Sequence, residues 1–220
     1  DKNELNIKKK KLLIFKNDFI NKNFDNLIIK NMWFLMEENK ISIKIVEDLF
    51  DGIESDLNEV VKFNKKKELL IYSYRVAGTV GLMMAKILGV QNKNSMKSAI
   101  DLGIAMQLTN ISRDVIEDMN NNRFYINHDF ETIKNTLSMA DLFYESSFAS
   151  IKEIPFRFRF AILVARRIYR KIGAKILHKE NIYNYNRSGK IYVANLGKLY
   201  QTFLSILDLI KLIFINEKNH

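Results

Sequence analysis

Apolar residues recur along the chain at the three- and four-residue spacing of helices, in segments separated by short polar breaks. Up to about Asn23, Leu12, Leu13, Phe15, Phe19 and Ile20 form the apolar stripe of a lysine-rich helix. A second helix is predicted over Leu27 to Glu38, with Met32, Trp33, Leu35 and Met36 as core, and a third over Ser42 to Leu57. The third carries Glu47, Asp48, Asp51, Glu54 and Asp56, which read as a solvated acidic face. Helical spacing resumes over Leu69 to Val90, and after a polar turn at Gln91 to Asn94 a long helix is predicted from Met96 to Met119, ended by Asn120 to Asn122. A loop with Arg123, Tyr125 and His128 then leads to helices over Met139 to Ser150 and Phe156 to His178, with Pro155 standing before the latter. The last helix is expected from Lys190 to Ile215.

Two of these helices carry more than a core stripe. In the Leu69 to Val90 segment, Gly78, Gly81, Ala85 and Gly89 fall within an arc of roughly 80°. Each glycine costs up to about 1 kcal/mol in helix propensity, so the row implies close approach of another helix or of a ligand. Tyr72 and Val76 lie one turn apart and are expected to face one cavity. In the next helix Gln107, Asn110, Asp114 and Asp118 share a face, drifting by about 40° per four-residue step among core-type neighbours such as Leu108, Ile111 and Val115.

Composition narrows the class. A single Pro and eight Gly in 220 residues suit long helices, and no linker divides the chain, so the expectation is one all-α domain over residues 1–220. The absence of Cys excludes disulfides and thiolate chemistry, and three scattered His lack zinc spacing. A net charge of +10 favours contact with something anionic. The runs Lys8 to Lys11 and Lys65 to Lys67 read as solvated faces, and with no helix-turn-helix or aromatic stacking pattern nucleic acid is not expected. No stretch reaches the ~18 uncharged residues of a membrane span. Leu199 to Ile215, interrupted by Asp208 and Lys211, reads as a packed C-terminal helix, with peripheral membrane contact as the alternative. The chain opens on Asp1 without a signal-peptide pattern, which reads as a processed chain or a fragment, cytoplasmic in location.

Two carboxylates four residues apart on one helical face repel, and a divalent cation removes the conflict. Asp114 and Asp118 with the Asn110 amide oxygen make an all-oxygen donor set suited to Mg²⁺ or Mn²⁺, whose remaining ligands are typically waters and substrate phosphates. Arg113 and Arg123 could add charge-assisted hydrogen bonds to phosphate.

The stretch QLTNISRDVIED, followed by NNRFYI, resembles the second aspartate-rich motif of the squalene and phytoene synthase family, the head-to-head prenyl synthases. YSYRVAGTVGLMMAKILGV resembles that family's other signature segment, in wording closest to the bacterial phytoene synthases, and the likeness continues through IYRKIGAKIL and Arg187-Ser188. The resemblance implies an isoprenoid synthase fold around a central apolar cavity with a diphosphate and Mg²⁺ site at its mouth. It implies that Asn110, Asp114 and Asp118 hold the metal and diphosphate and that Arg113 contacts phosphate. Gln107 would lie near the reacting carbons and Tyr72 near the leaving diphosphate. Val76, Ala77, Val80 and Gly81 would shape the prenyl channel, and Tyr169 and Arg187 match the family's C-terminal tyrosine and arginine near the diphosphates. The implied reaction joins two geranylgeranyl diphosphates through a cyclopropyl intermediate to phytoene, without NADPH. Squalene or dehydrosqualene formation from farnesyl diphosphate, and a catalytically silent scaffold, are the alternatives. The family's first aspartate-rich motif is not found in this sequence and would fall just before Asp1. The N-terminal helices bearing it are therefore expected to be lacking, with little or no synthase activity in the chain as given.

Overall fold

A computed structural model describes residues 2–214. The helices are α1 (Lys2–Ile20), α2 (Leu27–Glu38), α3 (Ile43–Ser55), α4 (Lys66–Ser73), α5 (Thr79–Ile87), α6 (Lys93–Arg113), α7 (Val115–Asn120), α8 (Phe130–Phe148), α9 (Phe156–Leu177), α10 (Ile182–Arg187) and α11 (Asn195–Phe214). A π-helical turn, Tyr74–Gly78, joins α4 to α5, and a 3₁₀ turn, Ala149–Glu153, follows α8. The architecture is all-α, as expected, save for a two-residue parallel pair, β1 (Val61–Lys62) with β2 (Arg123–Phe124).

Helix α6 is the axis. It packs against α8, α5, the π turn, α9 and α4. Its Ala105, Leu108 and Ile111 are buried with Ile133 and Leu137 of α8 and Ile172 and Ile176 of α9 in the main core. A second core joins α1, α2 and α3 through Phe19, Ile29, Met36, Val46 and Phe50. There the Phe19 and Trp33 rings stack at 5.4 Å, and the Trp33 indole N–H donates to the Phe19 carbonyl at 2.8 Å. A third core, including Ala85, Ile151, Leu163 and Leu212, ties the end of α5 to α9 and α11.

The glycine row serves helix contact. A Cβ on Gly81 would stand 2.2 Å from the Ala99 carbonyl oxygen of α6, and one on Gly103 would stand 2.3 Å from the Ala77 carbonyl oxygen of the π turn. Each helix thus leaves out a side chain where the other presents backbone. Gly89 lies outside this row: at φ +83° it ends α5, with the Val90 N–H reaching the Ala85 carbonyl at 3.0 Å in a Schellman-type close.

Other boundaries differ from the expected ones for local reasons. The long helix from Met96 to Met119 breaks at Asp114 (φ −105°, ψ 14°) into α6 and α7. Helix α8 begins at Phe130 rather than Met139, because Asp129 caps it: its carboxylate accepts the Thr132 N–H at 2.7 Å. The last helix begins at Asn195, since Ile191 and Val193 are buried and Tyr192 exposed, an extended alternation. Ile215, the expected end of that helix, lies outside the described residues. Among the described residues, no helix is long and apolar enough to cross a membrane.

Candidate functional site

The break at Asp114 creates the first part of the site. Neighbours in an unbroken helix point about 100° apart and do not face each other. Here the Arg113 Nε and Nη2 donate to the two oxygens of Asp114 at 2.8 and 2.5 Å, a fork between sequential residues. The carbonyls orphaned at the end of α6 need donors, and the Tyr185 hydroxyl of α10 supplies one, lying 3.0 Å from the Ser112 oxygen and 2.9 Å from that of Arg113. Lys190 approaches from the segment after α10, 2.7 Å from Glu117 and 3.5 Å from Asp114.

Asp118, one turn on, has no such relief. Burial first, and then the charges of Asp114, Glu117 and Asp56, push its carboxyl up to about 7, with Lys190 acting in the opposite direction. This is a carboxylate cluster short of positive charge.

Asp56 anchors the adjoining wall. Its two oxygens accept the Tyr72 and Tyr125 hydroxyls, each at 2.7 Å, and those hydroxyls lie 3.1 Å apart beneath rings stacked at 4.7 Å. Burial is the largest cause raising both phenols above the ordinary tyrosine range, which keeps them protonated as donors. Arg123 closes the same corner: its Nη2 donates to the Asp56 carbonyl, while its Nη1 lies 3.1 Å from the Asn121, 3.2 Å from the Asn122 and 3.4 Å from the Glu59 carbonyl. The β1–β2 pairing places these two loops side by side.

The second part is a cavity of about 570 Å³ bounded by the π turn, α5, α6, the 3₁₀ turn and α9. Val76, Ala77, Val80 and Gly81 line it with Gln107 and Asn110 of α6 and Tyr169 of α9, and the rest of the wall is largely apolar, including Leu102, Met106, Phe158 and Ile162. The Asn110 Oδ1 is buried and has no hydrogen-bond partner among the described residues. An amide oxygen left free at a cavity wall can accept from water or a ligand, or coordinate an ion.

Seven of the residues singled out in the sequence therefore share one cavity, while Arg113, Asp114 and Asp118 sit at the helix break just beyond Asn110. Tyr72 does not join Val76 at the cavity. The π turn begins two residues after Tyr72 and its extra residue per turn rotates the residues beyond it, so Tyr72 faces Asp56 and reaches the site only through the network beside Asp118. Arg123 is committed to backbone carbonyls rather than turned toward the cavity. Arg187 donates to the Tyr183 hydroxyl at 2.9 Å and stacks on that ring. Asp56, Tyr185 and Lys190 were not anticipated. The only sequence signal for Asp56 was its place in an acidic segment that reads equally well as solvated surface.

As a donor set, Asn110, Asp114 and Asp118 are all oxygen, which fits a hard divalent cation and not a soft one. Among the described residues no three His, Cys, Asp or Glu side chains cluster as a metal cage.

The squalene/phytoene synthase family profile matches residues 21–130, half of the chain. The chain belongs to that family. Among the relatives it resembles, the 15-cis-phytoene synthase of Paracoccus sp. (strain N81106 / MBIC 01143) is 37% identical over 147 residues, covering 59% of this chain and 48% of that protein. The 15-cis-phytoene synthase of Pantoea ananas is 35% identical over 150 residues, with the same coverage. The chain spans about half the length of these curated relatives. Among solved structures, a dehydrosqualene synthase in complex with ligand superposes with a TM-score of 0.73 at 24% identity, over 91% of this chain and 78% of that one. The family fold, that of the isoprenoid synthases, is thus shared by this chain.

Proposed function

We propose that this chain carries the prenyl-binding cavity and one side of the diphosphate site of a head-to-head prenyltransferase acting on two geranylgeranyl diphosphates to give phytoene. The Asn110 oxygen, which has no partner among the described residues, carries the reading, because it lines an apolar cavity one turn before the Asp114 and Asp118 carboxylates. The names of the two phytoene synthases that the chain resembles favour phytoene over squalene or dehydrosqualene as product. Asn110, Asp114 and Asp118 would hold Mg²⁺, which when bound supplies positive charge to a departing diphosphate. Arg113, which here forks onto Asp114, would add charge-assisted hydrogen bonds to phosphate oxygens. The apolar walls from Val76 to Gly81, together with Leu102 and Met106, exclude water from the electron-poor carbon left behind. Gln107 and Tyr169 line that cavity together with Asn110. Phytoene formation needs no reductant, so NADPH is not part of the proposal.

Titration of geranylgeranyl diphosphate into the purified chain by calorimetry, with and without Mg²⁺, tests this. Binding is expected only with Mg²⁺, tighter than for farnesyl diphosphate, and lost in Asp114→Ala. Equal binding without the metal, or an unchanged Asp114→Ala isotherm, would refute the metal assignment. Incubation with labelled substrate reads the separate question of turnover.

A further inference from the structure

The face that helix α11 buries carries Gln201, Ser205, Asp208 and Leu212. The Ser205 hydroxyl donates to the Gln201 carbonyl at 2.8 Å, and Asp208 is held by the Arg167 guanidinium of α9, whose Nη2 donates at 2.7 Å. Beside this ion pair, α8, α9 and α11 border a second cavity of about 680 Å³, which shares no lining residue with the one at Asn110. Five cationic side chains line it against three carboxylates.

The pairing within it is uneven. Arg167 takes both oxygens of Asp208, and Arg170 takes Asp141 and Glu145, each at 2.6 Å. Arg166 is left over. It is only 4% exposed, and its Nε and Nη2 donate to the Tyr144 carbonyl at 3.1 and 2.8 Å. The one carboxylate oxygen in ion-pair range among the described residues, Oε1 of Glu145, is 3.7 Å away and already serves Arg170. The Arg166 Nη1 makes no hydrogen bond among the described residues, and the Phe148 ring lies 4.7 Å from the guanidinium carbon. Burial, and after it the charge of Arg170, bring this guanidinium down to about 10. Lys171 and Lys211, both exposed, make no ion pair among the described residues. A buried cation with a free N–H edge, in a cavity with two unpaired lysines, is short of an anion. The terminal nitrogens of a guanidinium match two oxygens of a phosphate. The rest of the wall includes Leu137, Ala140, Ala174 and Leu177, and the volume is that of a small-molecule site rather than of a bare ion.

We propose that this cavity binds a small phosphate monoester, its phosphate held by Arg166, Lys171 and Lys211 and its organic body set against the apolar wall. This does not rest on the prenyl diphosphate reading. Calorimetric titration of the 220-residue chain with phenyl phosphate, in buffer free of divalent cations to keep out metal-dependent binding, tests it. Saturable binding in the millimolar range or tighter is expected, about tenfold stronger than for inorganic phosphate because the ester also buries its ring. Glu145→Gln, at an exposed position, removes the carboxylate that competes for Arg166 and should tighten binding about threefold. Lys171→Ser with Lys211→Ser should weaken it about fivefold, with an unchanged circular dichroism spectrum. Arg166→Met should abolish it, and the two surface variants decide the question if that protein does not fold. The proposal fails if phenyl phosphate shows no saturable binding, or if either surface variant binds as the parent does. Inorganic phosphate binding as tightly as the ester would overturn the choice of ligand.

Discussion

Helices α6 and α11 both depart from the rule that apolar side chains face inward, and they do so in opposite senses. Helix α6 turns two amides, Gln107 and Asn110, toward a largely apolar cavity. Helix α11 turns leucines and phenylalanines toward solvent. What each leaves unexplained is also opposite. The inward Asp208 and Ser205 of α11 are accounted for by Arg167 and by the helix backbone, so what remains over is the apolar ridge outside. On α6 the apolar neighbours are packed and what remains over is buried oxygen inside, the Asn110 amide oxygen with the Ser95 and Ser112 hydroxyls. A departure from ordinary burial points to a partner only after internal partners have been subtracted.

Four substitutions press on that contrast. The largest effect is expected from Asp208→Ala, which strands Arg167 against a buried wall. A loss of about 3 kcal/mol in urea denaturation is expected, and a loss under about 0.5 kcal/mol would mean the inward face of α11 is not fixed by this pair. Asn110→Leu should act in the other direction, raising stability by about 1 kcal/mol as an unpaired buried oxygen is removed, while abolishing Mg²⁺-dependent diphosphate binding. A destabilised Asn110→Leu would show that the amide has a partner after all.

The third concerns pH. Because the Asp118 carboxyl titrates at about 7 in the folded chain and in the ordinary carboxylate range when unfolded, the folded state holds a proton that the unfolded state has released between those values. Stability should therefore fall as pH rises from about 4 to about 7, and Asp118→Asn should flatten the decline. Urea midpoints at pH 5 and pH 8 read the difference directly. The smallest effect is expected from Phe203→Glu, within about 0.5 kcal/mol of the parent, because the ridge makes no contact that the fold requires.

Much of α6 was legible. Its polar face, the glycine row opposite and the cavity that both share are written in local spacing, because they arise within one or two continuous helices. The break at Asp114 was not, since DVIED continues a helical pattern and only the Arg113 fork and the distant Tyr185 hydroxyl stabilise the interruption. Asp56 and Lys190 reach the site from loops and from a different helix, so no spacing along the chain connects them to Asp118. The outward ridge of α11 was visible as an apolar stripe, but a stripe does not say which way it faces. That was decided by Asp208, whose partner Arg167 lies 41 residues away.

The paired glycines of α5 and α6 have a mechanical consequence. Side chains accommodate a guest by changing rotamer, but the contacts at Gly81 and Gly103 are backbone against backbone and have no rotamer to change. That wall of the cavity is stiff in both thickness and register. Any compliance the cavity has, and any tuning of its length between related sequences, must come from the facing wall, where Ile154, Phe158 and Ile162 can repack without moving a helix.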